Sequence, residues 1–407
     1  MPRRFTDANA LLNDLLDRYE GGAASPIAHP DYDAFPSVVA ADAFMKQIAR
    51  AEEVGAVGVG WGRGARRDQI AHVRLLAVEP LYPHLGRVPA SQIAREAGTR
   101  LVAGLVLDGR LGEAALSITE AWGRAKSWHG FASSDVDKLR DAFALAQAIL
   151  DHKHLEVDYR TFSRRTVGDS KSLERVEGAV VRLLGGILEF PPGARPREAL
   201  RTIGLERFAP PLLIAGRIDL GDADLSQISS HYLGIAPKEA DRVRFREAPA
   251  YLLTIENFAS FNRHIAEADP ERRGTTMYVG GYPSLATQQA LREIAEMVSP
   301  ATPIFHWSDI DPDGTWIFHT IERAVGRPIR PHLMSVELAE QAGQVPPRKA
   351  APARCPPGSG ISVLSAYLAG ESAKTLEQEE LDPILPDLGA VGEAGSESRA
   401  GEPKRSL

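Results

Sequence analysis

Three short stretches of this chain carry residues suited to metal-assisted chemistry: Glu256-Asn257, Gly280-Gly281 and Asp309-Ile310-Asp311-Pro312-Asp313-Gly314. Each follows an apolar run (YLLTI, TTMYV, PIFHW) of the kind that forms a buried strand. In open parallel sheets, ligands and reacting groups gather at the carboxyl ends of the strands. Carboxylates from neighbouring strand ends can share one or two hard cations, and magnesium favours oxygen ligands completed by water and substrate phosphate. Two such ions would activate a water and stabilise the leaving oxygen of a phosphodiester. Glycine at 280 and 281 would let a phosphate come close to the backbone.

The DxDxDG string also fits other chemistries. As a calcium loop opening at Asp309 it fails, because Thr320 falls where the bidentate glutamate belongs. As a phosphatase of the haloacid dehalogenase type, Asp311-x-Asp313-Gly314-Thr315 after an apolar strand matches the nucleophile loop. That enzyme class also needs a downstream lysine and acidic pair, and normally opens its domain with this strand; here the strand is the third. The bland reading is a helix start enriched in Asp by the helix dipole. Glu256 at a second strand end favours a catalytic site.

Strands separated by helices must position these groups, and the chain has that pattern from Tyr251 onward. AYLLTIEN, TTMYVGGYPS, TPIFHWSD and PIRPHLM alternate with FASFNRHIAEA, LATQQALREIAEMV and GTWIFHTIERAVG. Such alternation implies an α/β domain with a parallel sheet covered by helices. LEFPPGARPREAL, around 188–200, reads as a domain linker. After about Gly343, a Pro/Ala/Arg-rich connector (QVPPRKAAPARCPPGSG) leads to a helical segment containing TLEQEELDP, and residues 391–407 read as a disordered tail.

Upstream, residues 6–20 read as an amphipathic helix capped by Thr6, and a second helix runs from about Ala41 to Val54. VGVGWGRGARRDQIAHVRLLAV reads as two strands around a basic turn, with Arg63, Arg66, Arg67 and Arg74 against Asp68 alone, which suits contact with DNA backbone or a protein partner as well as it suits a solvated hairpin. Helical patterns return around 90–97, 111–128 and 134–151. VDYRTFSRRTVGDSKSLERVEGAVVRLLG reads as helix, turn and second helix, with Asp169 or Ser170 as the cap. Arg160, Arg164, Arg165, Ser170 and Lys171 cluster there, which suits phosphate and groove contact as well as it suits a solvated hairpin.

With 407 residues, 43% of them hydrophobic and 25% charged, the chain is globular in composition and long enough for two or three domains. Its single cysteine, Cys355, excludes an internal disulfide or thiolate cluster and fits a reducing cytoplasm. No apolar run approaches the roughly 18 residues of a membrane span. Asp7, Asp14 and Asp17 break the first apolar stretch, so it does not read as a signal peptide. The net charge of −7 argues at face value against nucleic acid, yet the first 200 residues hold 26 basic and 26 acidic side chains. Any functional positive charge must therefore be local.

A glutamate after the first strand, Gly-Gly after the second and Asp-x-Asp after the third resemble the Toprim domain of topoisomerases, primases and related nucleases. More specifically, LTIENFASFNRHI, YVGGYPS, HWSDIDPDGTWIFHTI and RPHLMSVE, preceded by VDYRTFSRRTVGDSKSLER and followed by LEQEEL, resemble the JetD-type nucleases of bacterial Wadjet plasmid-defence systems. That family is related to the A subunit of topoisomerase VI, and the resemblance runs from about residue 5 to 386. It implies an arm domain over 1–100, a winged-helix DNA-binding module over 101–192 and a Toprim nuclease domain over 200–390. It implies Mg2+ or Mn2+ as cofactor and Glu256, Asp309 and Asp311 as catalytic, metal-binding acids. Asp313 and one of Glu377 or Glu379 are further candidate ligands, and Glu256 is alternatively a general base.

The implied substrate is double-stranded DNA of closed circular plasmids. The implied partners are a second copy of the chain and an SMC-like complex of three companion proteins. Tyr159 occupies the module in which relatives carry a nucleophilic tyrosine, but its context favours a packing role and hence hydrolysis over transesterification. Two departures from the family pattern are Ser308, where glycine is usual, and Lys374-Thr375, where a tryptophan is usual. His306 and Trp307 read as core or wall residues, with alternation burying one of them, and His264 and His319 read as solvated or packed histidines rather than ligands or catalytic groups. The alternatives to the nuclease are a phosphatase acting through Asp311 and a non-catalytic DNA-binding recruitment subunit.

Overall fold

Leu11, Leu12, Leu15 and Leu16 recur at helical spacing, and in the computed structural model of the chain they form the buried stripe of helix α1 (Ala8–Glu20). The structure describes residues 3–206, 209–225, 231–347 and 355–388, so the expected tail at 391–407 lies outside the described residues. Two units are present: Met1–Lys153 with Arg160–Leu188, and His154–Tyr159 with Glu189–Leu407. Among the described residues no helix is long and apolar enough to cross a membrane.

In the first unit, strands β1 (Arg4–Phe5), β2 (Ile27–Pro30), β3 (Val57–Trp61) and β4 (Ile70–Leu75) form a sheet in the order β1-β2-β4-β3. Helices α1 and α2 (Val38–Glu53) bury Leu11, Leu15, Phe44 and Ile48 in one core with Val57, Ile70 and Val73 of the strands. Asp7, not Thr6, caps α1: its backbone is extended and its carboxylate accepts the Ala10 N–H at 2.7 Å. Ser37 caps α2, which starts at Val38, three residues before Ala41, because its hydroxyl accepts the Ala40 N–H at 3.1 Å.

Helices α3 (Leu81–Leu85), α4 (Ala90–Val102), α5 (Gly109–Gly123) and α6 (Val136–Leu150) follow. Then comes the helix-turn-helix, α7 (Tyr159–Val167) and α8 (Ser172–Leu184), with Gly168 at φ 82° in the turn. Neither Asp169 nor Ser170 caps α8. The buried Ser163 hydroxyl instead accepts the Leu173 N–H at 3.1 Å and donates to the Asp169 carbonyl at 2.6 Å. Between β4 and residue 211 the described residues form no strand, only an isolated bridge of Trp128 with Phe131.

After His154–Tyr159, the second unit continues with α9 (Pro196–Thr202), inside the stretch that reads as a linker: Pro196 starts it and Glu198 accepts the Arg195 N–H at 2.8 Å. Two antiparallel strands, β5 (Leu212–Ala215) and β6 (Ile218–Leu220), precede β7 (Leu233–Ile235) and β8 (Val243–Phe245), with β6 pairing β8 apart from the main sheet. The parallel strands are β9 (Leu252–Ile255), β10 (Thr275–Tyr278), β11 (Ile304–Trp307) and β12 (Ile329–Pro331). The six-stranded sheet runs β12-β11-β9-β10-β5-β7, with β5 antiparallel to β10. Helices α10 (Phe258–Arg263), α11 (Leu285–Met297) and α12 (Pro312–Val325) connect the parallel strands, and α13 (Val336–Ala342) and α14 (Ser362–Leu368) follow.

All four residues of β9 and of β11 are buried, as expected for parallel strands covered on both sides. Alternation predicts that only one of His306 and Trp307 is buried; both are fully buried, because a central parallel strand has no solvent face. The segment LEQEEL is not helical as a whole. Leu376 makes an antiparallel bridge with Ile310, and only Gln378–Glu380 forms a 3-10 turn.

Buried Asp269 sets the turn into β10. Its carboxylate accepts the Arg273 N–H at 2.8 Å, the Gly274 N–H at 2.9 Å and the Tyr251 hydroxyl at 2.8 Å. The Tyr251 hydroxyl also meets His264 Nε2 at 3.2 Å, which makes His264 a core residue. Replacing Asp269 by Ala removes the acceptor of the buried Gly274 N–H and Tyr251 hydroxyl and of the part-buried Arg273 N–H, and is expected to cost about 2–4 kcal/mol. Urea denaturation checks this: the midpoint drops sharply for Asp269→Ala and less for Asp269→Asn, which retains one acceptor.

Candidate functional site

β9 and β11 run side by side with Ile255 opposite Trp307, and the Glu256 N–H extends the ladder to the Trp307 carbonyl at 3.0 Å. The strand order reverses here, because β10 lies on one side of β9 and β11 on the other. Such a reversal opens a crevice at the carboxyl ends of the strands. Glu256 leaves β9 and Asp309 follows β11 at this point, and the Asp309 N–H faces Glu256 Oε2 at 3.4 Å.

Asp311 is the N-cap of α12 and accepts the Gly314 N–H at 2.6 Å. Gly314 is required there, since a Cβ would collide with the Asp309 carbonyl oxygen. Asp313, in the first turn, accepts the Tyr282 hydroxyl. Gly280 and Gly281 follow β10 at φ 64° and 77°, the left-handed region that disfavours side chains. With Glu256, Tyr278, Asp309 and Glu379 they line an open cleft of about 330 Å³. Ser308 leaves the acids free: buried, its hydroxyl donates to the Gly314 carbonyl at 3.1 Å and ties the strand end to the helix start.

These carboxylates repel one another in a poorly solvated place. Burial, followed by the charges of Asp309 and Asp311, pushes Glu256 up to about 8. Burial raises Asp309 to about 6, with Glu377, Asp311 and Glu379 adding to it and the Gln378 N–H opposing. Asp311 is raised by burial and by Asp313 and Glu377, against the Gly314 N–H. Glu377 and Glu379 are both exposed, and Glu379 accepts the Asn257 side-chain amide at 2.7 Å.

The residue between those two glutamates makes more contacts with the strand ends than either. Gln378 is buried; its N–H donates to Asp309 at 2.7 Å, its side-chain oxygen accepts the Asn257 N–H at 2.9 Å, and its Nε2 donates to the Trp307 carbonyl at 3.1 Å. One amide thus bridges the ends of β9 and β11. Gln378 and Tyr282 are the site residues that the sequence pattern does not single out. A polar residue flanked by acids, and a tyrosine after Gly-Gly, carry no spacing signal.

Among the described residues no three His, Cys, Asp or Glu side chains are arranged to enclose a metal ion by themselves. The donor set is nonetheless all oxygen, and its mutual repulsion is what a hard divalent cation would relieve. Glu256, Asp309 and Asp311 are the side chains that would hold it, with water and phosphate supplying the remaining oxygens.

Residues 215–383, which include the parallel strands and their acids, match the family model described as Wadjet protein JetD, C-terminal. A similar protein is the Wadjet protein JetD of Bacillus cereus (strain Q1), 23% identical over 190 residues, covering 45% of this chain and 45% of that relative. Over residues 215–383 the chain is thus similar to the C-terminal part of JetD-type Wadjet proteins. The match covers less than half of the relative's length.

The basic candidates belong to the other unit rather than to that of the six-stranded sheet. Arg63, Arg66 and Arg67 are exposed around the β3–β4 turn. Arg164, Arg165 and Lys171 are exposed along the helix-turn-helix, Ser170 is half-buried, and Arg160 lies 3.7 Å from Glu174. Tyr159 is 1% exposed and packs under the Arg197 guanidinium, which places it in the core. His306 is bound to Thr254 at 2.8 Å and His319 is buried 3.6 Å from Glu322; neither joins the acids.

Raised carboxylates bind protons more tightly in the folded than in the unfolded protein. Their contribution is therefore most favourable at low pH and is lost as pH rises from about 4.5 through about 8 for Glu256. In the presence of a chelator, the unit that carries these acids is expected to lose on the order of 2–4 kcal/mol across that window. Denaturation series at pH 5 and pH 8 check it: Glu256→Gln flattens the difference, and adding magnesium restores stability at pH 8.

Proposed function

We propose that the chain is a divalent-cation-dependent DNA endonuclease, the cutting subunit of a Wadjet anti-plasmid assembly. The observation that carries this reading is the meeting of Glu256 with Asp309 and Asp311 where the strand order reverses, beside the bare backbone of Gly280 and Gly281. The JetD-type match supports the defence role. A bound Mg2+ or Mn2+ would supply Lewis-acid activation of a water and of the leaving oxygen.

The chain's own residues do the positioning. Gln378 aims Asp309 and keeps the two strand ends in register. Gly314 and Ser308 hold Asp311 at the start of α12, and Tyr282 turns Asp313. Gly280 and Gly281 leave room for a phosphate against the main chain. Burial of Tyr159 favours water over a tyrosine as the attacking group. The phosphatase reading gains less support, because Asp311, its nucleophile, is engaged as a helix cap. Double-stranded circular DNA as substrate, a homodimer, and delivery by an SMC-like complex of three companions complete the proposal. The acids lie within a fold of α/β, Toprim-like type.

Incubating supercoiled plasmid with the chain, its companion proteins and magnesium or manganese tests the reading. Glu256→Ala and Asp309→Ala are each expected to lower cleavage at least ~100-fold, while circular dichroism and DNA binding persist. Undiminished cleavage by a folded double variant would overturn it.

A further inference from the structure

The four-stranded sheet of the first unit has one face packed on α1 and α2; its other face is unusually bare and positively charged. Register sets what that face presents. Ile27 on β2 pairs with Arg74 on β4, and Ala28 with buried Val73, so His29 stands level with His72. Arg4 on β1 pairs with His29. On β3, the partners of Arg74 and His72 are Gly58 and Gly60.

One row therefore reads Arg4, His29, His72, Gly60, and the next reads Ile27, Arg74, Gly58. The inward positions Phe5, Ala28, Val73 and Val57 are buried, which fixes the direction of the outward ones. The glycines have a purpose there. A Cβ at Gly60 would stand inside the His72 imidazole, so that ring lies flat on the β3 backbone.

The rim adds charge of the same sign. Arg18 donates to the Ile27 carbonyl at 2.7 Å, which holds its guanidinium beside β2. Arg3 lies 3.7 Å and Arg18 3.8 Å from Asp14, the one acid in the groove of about 640 Å³ that these side chains enclose with His29, His72 and Arg74. Asp14 is 15% exposed and shared by two arginines. Arg4 and Arg74 are exposed and have no carboxylate within ion-pair distance among the described residues. Four guanidinium groups thus face solvent against a single shared carboxylate.

We propose that this open face is a docking surface for the phosphate backbone of double-stranded DNA. Charge complementarity selects the occupant: a polyanion gains from every arginine here, whereas an acidic patch on a protein would need matched spacing. Neighbouring strands are about 4.8 Å apart, so Arg4, His29 and His72 span about 10 Å of the face. These rows offer arginine, imidazole and bare glycine rather than Phe, Tyr or Trp, with the exposed Trp61 beyond them at the end of β3, so phosphate contact and not base stacking is their main offer. Contacts of this kind position DNA without reading its sequence.

This inference rests on the reading of the chain as a DNA-acting protein. Its test uses binding in chelator, so its failure is separable from failure of the cleavage experiment. Anisotropy of a labelled duplex is measured with the full chain across a salt series. Arg4→Gln combined with Arg74→Gln is expected to weaken binding ~10-fold and to make the log–log salt slope shallower by about two. Lys46→Gln, on α2 behind the sheet, is expected to change neither. No duplex binding by the unaltered chain, an unchanged affinity and slope in the double variant, or an equal effect of Lys46→Gln would each overturn the proposal. A double variant that binds DNA normally but sediments differently would assign the face to a second copy of the chain instead.

Discussion

The parallel pairing of β9 with β11 is the constraint on which the candidate site depends. Ile255 opposite Trp307 puts Glu256 and Asp309 at the same level of the sheet, and nothing in the strand geometry allows them to separate. Gln378 closes the arrangement by bonding both strand ends through one amide. Two acids that would otherwise repel are thus held by backbone pairing, which is distributed over the whole sheet and its core. The repulsion is tolerated because it is local: Glu256 goes up to about 8 while the strands that carry it stay buried and fully bonded.

The polar groups deeper in the same domain follow the opposite rule. Burial pushes His264 down to about 4, His306 to about 3 and His332 to about 4, so all three are neutral at physiological pH. His264 packs on Tyr251, which in turn donates to Asp269, and His306 meets Thr254. These groups carry no mutual repulsion, and they stiffen the turn into β10 and the strands beneath the acids. Electrostatic strain is confined to the carboxyl rim, where solvent and a cation can reach it.

The parallel α/β pattern was legible because its strands are short apolar runs separated by amphipathic helices. The acids at the strand ends were legible because fold topology gives such positions a chemical meaning. Two things escaped. Burial on both faces removes the alternation that separates wall from core, so His306 and Trp307 could not be told apart by periodicity. Long-range pairing leaves no local mark either: the bridge of Leu376 to Ile310 joins residues far apart in sequence, and LEQEEL on its own looks helical. Caps were misplaced by one to a few residues for a related reason. Thr6 and Asp7 are both able to cap, as are several residues around Asp169, and only backbone geometry chooses between them.

Net charge now has a structural meaning. An acidic rim repels phosphate until a cation neutralises it, so on the proposed reading DNA has no electrostatic reason to approach the carboxylates first. The arginines that could attract it lie in the first unit, on the open sheet face, the β3–β4 turn and the helix-turn-helix. Attraction and chemistry are thus assigned to different parts of one chain. On the proposed reading, a protein of net charge −7 binds a polyanion through local surfaces while its proposed cutting centre stays inert without a cation. For an enzyme whose proposed substrate resembles the host's own DNA, that division has a physical advantage: binding alone does not assemble the reactive site.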